Sequence, residues 1–141
     1  MKAFLDTSIL ASYYCPEPRS KNVQQVLGRV EDPTLSPLVE IEFYCVIARK
    51  VRADQMDAPS AHRILAEFKR HLSESRYHII PIQAGEYTLA GEWIEDFTSS
   101  LRSVDALHLA AASNNNLTLL TADKILAGAA RHFGVKRQLI P

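Results

Sequence analysis

The chain has 141 residues, 47% of them hydrophobic and 23% charged, with 16 basic residues against 16 acidic ones. That length fits one compact domain over residues 1–141, with a core of its own, and is too short for two. The zero formal net charge excludes a global field for nucleic acid or membrane, so a polyanionic partner must be held by local patches or through a metal.

The first residues, MKAFLDTSIL, meet Asp6 too early for a signal peptide, and no apolar run approaches the roughly 20 residues that span a bilayer. A cytoplasmic protein with no membrane partner is the expectation. Cys15 and Cys45 stand far apart and in no metal-ligand spacing, so both are expected as free, buried thiols.

Lys2–Asp6 is a short apolar run that predicts a buried strand. DTSILASYY shifts to helical spacing, with Thr7 or Ser8 available to cap. The two prolines of CPEPRS break that helix. Val23, Val26, Leu27 and Val30 then recur at helical spacing. DPTLSP predicts a very short strand or extended turn. Ser36 as cap and Pro37 in the first turn open the helix PLVEIEFYCVIARKVR. Asp57-Ala58-Pro59 opens another helix, with Ile64, Leu65, Phe68 and Leu72 on one face. YHIIPI is a strand that Pro81 ends or confines to an edge. AGEYTLAGEWIEDF and SVDALHLAAASNNN are helices, the second closed by asparagines that tolerate a left-handed terminus. LTLLT is a strand, ADKILAGAARHFG a helix ended by Gly134, and VKRQLI a last strand. Strands alternating with helices predict an α/β domain with a mostly parallel sheet covered on both faces.

Four acidic residues fall at element ends. Asp6 ends the first strand and Asp123 follows LTLLT; Asp105 and Glu42 lie in the first turns of helices. In an open parallel sheet these positions share one edge, where ligands bind beside a topological switch point. Each acid has a plainer use alone: Asp105 against its helix dipole, Asp123 as an N-cap, Asp6 as a strand-end cap, Glu42 on a solvated face. Glu40 competes with Glu42, because residues two apart on a helix cannot face the same way. Together, four converging carboxylates repel one another and need a counter-charge. Only Lys124 is near in sequence, and it is expected to point elsewhere. A hard divalent cation, Mg²⁺ or Mn²⁺, answers that need, and phosphodiester hydrolysis is the reaction class it implies.

At these residues the chain resembles the PIN-domain family, in particular the small toxin ribonucleases of the VapC type. FLDTSIL resembles the first acidic motif of that family, carried by Asp6 with Thr7 and Ser8 as supporting residues. LSPLVEIEFYCVIARK resembles the second, in which the acid precedes a basic residue seven positions on; this selects Glu42, with Arg49, over Glu40. SVDALHLAAA resembles the third and gives Asp105; LTLLTADKIL resembles the fourth and gives Thr121 and Asp123. The order of the motifs and the 18-residue step from Asp105 to Asp123 agree with this. The resemblance implies a three-layer α/β/α sandwich with a parallel five-stranded sheet in the order 3-2-1-4-5. It implies an endoribonuclease that uses Mg²⁺, with Mn²⁺ as substitute, held by Asp6, Glu42, Asp105 and Asp123. It also implies a homodimer and a cognate antitoxin.

His108, one turn beyond Asp105, is expected as a packed histidine hydrogen-bonded beneath the site. His62, His71, His78 and His132 form no zinc spacing, and no phosphate loop or nucleophile elbow occurs. Arg49, Lys50, Arg52 and Arg102 are the candidates for RNA phosphate contacts. Trp93, Tyr87 and Phe97 are expected in core or interface. The large side chains of Phe43–Ile47 and Tyr87–Phe97 exceed what one small sheet is expected to cover, which also points to a homodimer. The alternative function is a catalytically inactive PIN-fold module that binds metal or serves as a scaffold. A 5′-nuclease acting on structured DNA shares the chemistry but needs insertions for which this chain has no room.

Overall fold

Ala3, Phe4 and Leu5 are all fully buried, as a central parallel strand covered on both faces requires. They belong to β1 (Lys2–Leu5). The structure, a computed structural model, describes residues 1–141. After β1 come α1 (Thr7–Tyr14), α2 (Ser20–Leu27), β2 (Asp32–Leu35), α3 (Pro37–Arg52), α4 (Ala58–Ser73), β3 (His78–Ile79), α5 (Ala84–Glu95), α6 (Ser103–Asn114), β4 (Thr118–Thr121), α7 (Lys124–His132) and β5 (Arg137–Leu139). The five strands pair in parallel in the order β3-β2-β1-β4-β5.

Connections from β1 outward to β3 carry α1–α4, and those from β3 back across to β5 carry α5–α7. Right-handed crossovers place the two groups on opposite faces, giving three layers. The direction of travel reverses between β1 and β4, so the switch-point crevice opens between their C-terminal ends. No helix is long and apolar enough to cross a membrane.

Local chemistry fixes most boundaries. Ser36 caps α3 by accepting from the Val39 N–H at 3.3 Å, with Pro37 in the first turn. Asp57 caps α4 by accepting from the Ser60 N–H at 2.8 Å. Asn116 (φ 53°) and Gly134 (φ 72°) both turn left-handed, and each leads out of a helix toward the next strand. α6 is buried around most of its girth; Ala106, Ala110, Ala111 and Ala112 let it lie close to its neighbours.

Four expectations are corrected. The cap of α1 is Asp6, which accepts from the Ile9 N–H; the Thr7 and Ser8 hydroxyls are directed to Glu42 and Asp6 instead. The strand YHIIPI shrinks to His78–Ile79, an edge pair bonded only to β2, because a proline supplies no ladder donor. Cys15 is buried, but Cys45 is exposed on α3. Phe43 and Ile47 are not surplus apolar surface: they are buried in the main core, whereas Tyr87 (59% exposed) and Phe97 (89% exposed) do face outward.

Phe43 meets Phe68 with ring centroids 5.0 Å apart, and Tyr14 packs against both. Phe43→Ala should therefore lower the unfolding free energy by about 3–5 kcal/mol, the usual cost of emptying a fully packed aromatic site. Urea denaturation should show it as a lower midpoint at unchanged slope.

Candidate active site

The crevice between β1 and β4 widens into a cavity of about 470 Å³. Its wall carries Asp6, Glu42, Asp105 and Asp123, with Arg49, Arg102 and His108. Asp6 leaves the end of β1 and Asp123 follows β4, the adjacent strand. Glu42 comes from the second turn of α3 and Asp105 from the first turn of α6, so both faces of the sheet contribute. Glu40 does not line the cavity.

Each carboxylate is held differently. Asp6 is only 4% exposed. Its Oδ1 accepts from the Ser8 hydroxyl at 2.5 Å and the Ile9 N–H at 3.2 Å; its Oδ2 accepts from the Thr121 hydroxyl. Ser8 Oγ in turn accepts from the Ala122 N–H at 2.9 Å, and Thr121 Oγ1 from the Asp123 N–H at 3.0 Å. Glu42 Oε1 accepts from the Thr7 hydroxyl at 2.6 Å and from His108 Nε2. Asp123 Oδ1 caps α7, accepting from the Ile125 and Leu126 N–H groups at 2.8 and 3.2 Å. Asp105 makes no hydrogen bond and no ion pair, although its surroundings remove much of its solvent.

His108 is 1% exposed, packs 5.9 Å from the Phe4 ring, and leaves Nδ1 buried without a partner. In the neutral ring the hydrogen sits on Nε2 and is given to Glu42, because a proton on Nδ1 would be an orphaned buried donor.

The electrostatics follow. Burial pushes the Asp6 carboxyl above the usual carboxylate range, against the pull of Ser8, Thr121, His108 and the Ile9 N–H. Burial likewise raises Asp105; nearby Asp123 and Glu42 add to that, and His108 and Arg102 oppose it. For Glu42 burial acts upward too, but the His108 and Thr7 hydrogen bonds outweigh it and hold the group below its ordinary value. Four acidic groups thus face two arginines, and neither Arg49 nor Arg102 pairs with any of them.

This donor set suits a hard divalent cation: all oxygen, net negative, with both Asp105 oxygens, Glu42 Oε2 and Asp123 Oδ2 unengaged. The side chains do not already form a closed cluster, since no three His, Cys, Asp or Glu groups are close enough together to grip an ion. Their present partners explain this: Asp6 is turned into the sheet edge, Glu42 toward Thr7 and His108, Asp123 toward α7.

Of the basic candidates, Arg49 and Arg102 line this cavity, Lys50 lines the next one, and Arg52 lines neither. Sequence reasoning did not anticipate Cys45, Val46, Ser103 and Val104 on the wall. Cys45 lies one helical turn past Glu42, and that spacing was the signal available for it.

The unpartnered state of Asp105 generates a prediction. A carboxyl raised in the folded state contributes stability below its ordinary pKa of 3.8, and that stability is lost as pH rises through the raised value. Asp105→Asn removes the loss. In EDTA near neutral pH the variant should melt no lower than wild type, and its stability should vary less with pH above 3.8. Millimolar Mn²⁺ should raise the wild-type melting temperature and raise that of the variant much less. Equal stabilisation of the two proteins would reduce Asp105 to a helix-dipole residue.

A model of the PIN domain family matches residues 3–132. No curated protein matches the chain. Among solved structures, FitAcB from Neisseria gonorrhoeae superposes with a TM-score of 0.70 at 21% identity, covering 96% of this chain and 95% of that one. VapBC2 from Rickettsia felis, bound to a DNA fragment from its promoter, gives 0.70 at 20% identity over 100% of both chains. VapC20 from Mycobacterium tuberculosis, a sarcin-ricin loop cleaving toxin, gives 0.70 at 18% identity over 91% of this chain and 95% of that one. At these identities the likeness is one of fold. With a family match that spans β1 to the end of α7, the chain belongs to the PIN domain family.

Proposed function

We propose that this protein is a metal-dependent endoribonuclease, the toxin of a VapC-type toxin–antitoxin pair. The observation that carries the reading is Asp105: a half-buried carboxylate without donor or counter-ion, in a cavity with three more carboxylates. A group left in that state is stabilised by a cation from outside the chain. Asp6, Glu42, Asp105 and Asp123 would hold Mg²⁺, or Mn²⁺ in its place. When bound, such an ion supplies an activated water and offsets charge on the phosphodiester.

The chain's own groups have separable tasks. Ser8 and Thr121 hold Asp6 in one rotamer, so one carboxylate stays fixed at the centre of the sheet edge. Thr7 and His108 saturate Glu42 Oε1, leaving Oε2 to face the cavity. Arg49 and Arg102, unpaired within the chain, meet the phosphate oxygens of the substrate. RNA as substrate is supported by the neighbour described as a sarcin-ricin loop cleaving toxin. An antitoxin partner is supported by the VapBC2 assembly and by a toxin-antitoxin complex from Klebsiella pneumoniae of TM-score 0.62 at 22% identity. A homodimer is part of the proposal, with outward Tyr87 and Phe97 in place of the buried Phe43 and Ile47 as its apolar contribution.

Purified protein should cleave single-stranded RNA in Mg²⁺ or Mn²⁺ and stop in EDTA. The products should carry 5′-phosphate ends, because the nucleophile is water rather than the ribose 2′-hydroxyl. Asp105→Asn and Glu42→Gln should each lose about a hundredfold or more of kcat, the scale on which charge stabilisation at a reacting centre operates. Cleavage that survives EDTA, or that yields 2′,3′-cyclic phosphates, would overturn the mechanism. Mn²⁺ binding with no cleavage of any RNA would return the chain to the inactive-module reading.

A further inference from the structure

Ser8 and Ala11 line two cavities, the one that holds the carboxylates and a smaller one of about 180 Å³ beside it. Arg19, Glu17 and Lys50 supply the charges of the smaller cavity. The sign of the charge changes between the two. In the first, four acidic groups face Arg49 and Arg102; in the second, Arg19 and Lys50 face Glu17 alone. Glu17 is already engaged: its Oε1 accepts from the Ser12 hydroxyl and from Arg19 Nη1 at 3.3 Å.

The two cations are left with unused capacity. The Arg19 side chain is 34% exposed; its Nη1 is spent on Glu17, while its Nη2 makes no hydrogen bond within the chain. Lys50 forms no ion pair. It directly follows Arg49 on α3, so consecutive residues of one helix turn reach adjoining cavities. A guanidinium with a donor to spare next to a free ammonium is the chemistry that receives a phosphodiester oxygen. The carboxylate cavity alone repels that group, and over such distances, within a Debye length, salt does not screen the repulsion away.

We propose that Arg19 and Lys50 form a phosphate subsite. It would seat the phosphate of a single-stranded RNA next to the one being cut, so that the strand passes from the carboxylate cavity over Ser8 into the smaller one. The proposal rests on the ribonuclease reading above. Phosphate contacts fix register rather than base identity. Arg19 and Lys50 therefore determine which bond of a bound strand arrives at the carboxylates.

The test compares wild type with Arg19→Gln/Lys50→Gln, and with Arg19→Lys/Lys50→Arg, on a labelled single-stranded oligoribonucleotide and on a dinucleotide that has one phosphate. The Gln pair should bind the oligonucleotide about tenfold or more weakly, with a salt slope shallower by about 0.7 for each lost contact. Its KM for the oligonucleotide should rise at unchanged kcat, while dinucleotide cleavage stays at the wild-type level. The Lys/Arg exchange should keep both affinity and slope. Lys50→Gln, which loses no internal bond, replaces the Gln pair should thermal melting show that pair unfolded. Unchanged affinity for the oligonucleotide, or an equal loss on the dinucleotide, would overturn the subsite. Wild-type cleavage with no difference in the variants removes the subsite and leaves the ribonuclease. Salt-dependent binding through Arg19 and Lys50 without cleavage keeps the subsite and removes the ribonuclease.

Discussion

Burying the Asp6 carboxylate is the constraint from which the rest of the site follows. An ionised carboxylate taken out of water costs several kcal/mol unless donors replace the lost hydration. Here three donors do so: the Ser8 hydroxyl and the Ile9 amide in α1, and the Thr121 hydroxyl at the end of β4. Satisfying one side chain thus locks the end of β1, the start of α1 and the end of β4 into one arrangement. Ser8 and Thr121 pass the constraint on, since each also accepts an amide of the turn that leads to Asp123. The acid that caps α7 is therefore placed by the acid that ends β1.

A second bridge crosses the layers. Glu42 belongs to one face of the sheet and His108 to the other, and their hydrogen bond closes over the end of β1, with Phe4 beneath the imidazole. Nδ1 of that ring has no partner, so the bridge is carried by Nε2 alone. Of the four acidic groups, Asp105 is the one for which no internal donor is provided.

Three of the four acids could be read from sequence because they sit where element boundaries announce themselves: Asp6 after an apolar strand, Asp123 after LTLLT, Asp105 at the head of an alanine-rich helix. Glu42 could not be separated from Glu40 by pattern, since a helix records phase and not its partners. The family spacing selected it, and the Thr7 and His108 contacts, from residues 35 positions before and 66 after, show what holds it. The sheet order likewise needed the resemblance, because alternation alone does not say which strand is central. Strand β3 was overread because an edge pair needs only two residues of ladder. The apolar excess assigned to Phe43–Ile47 was misjudged because α4 lies over α3 and buries it, which no local window records. Arg19 went unnoticed for a similar reason: it stands in a proline-broken loop, and only the folded chain brings it beside Lys50.

The uneven fate of the two cysteines gives the molecule a ready point of attachment. Cys15 is only 7% exposed, at the wall of the smaller cavity, while Cys45 is exposed on the wall of the carboxylate cavity, one turn from Glu42. A maleimide dye would thus meet Cys45 as the exposed thiol of the native protein and need no engineered cysteine. Its emission would report on whatever enters or leaves the mouth of the crevice, so occupancy could be followed by light alone, without any bond being cut.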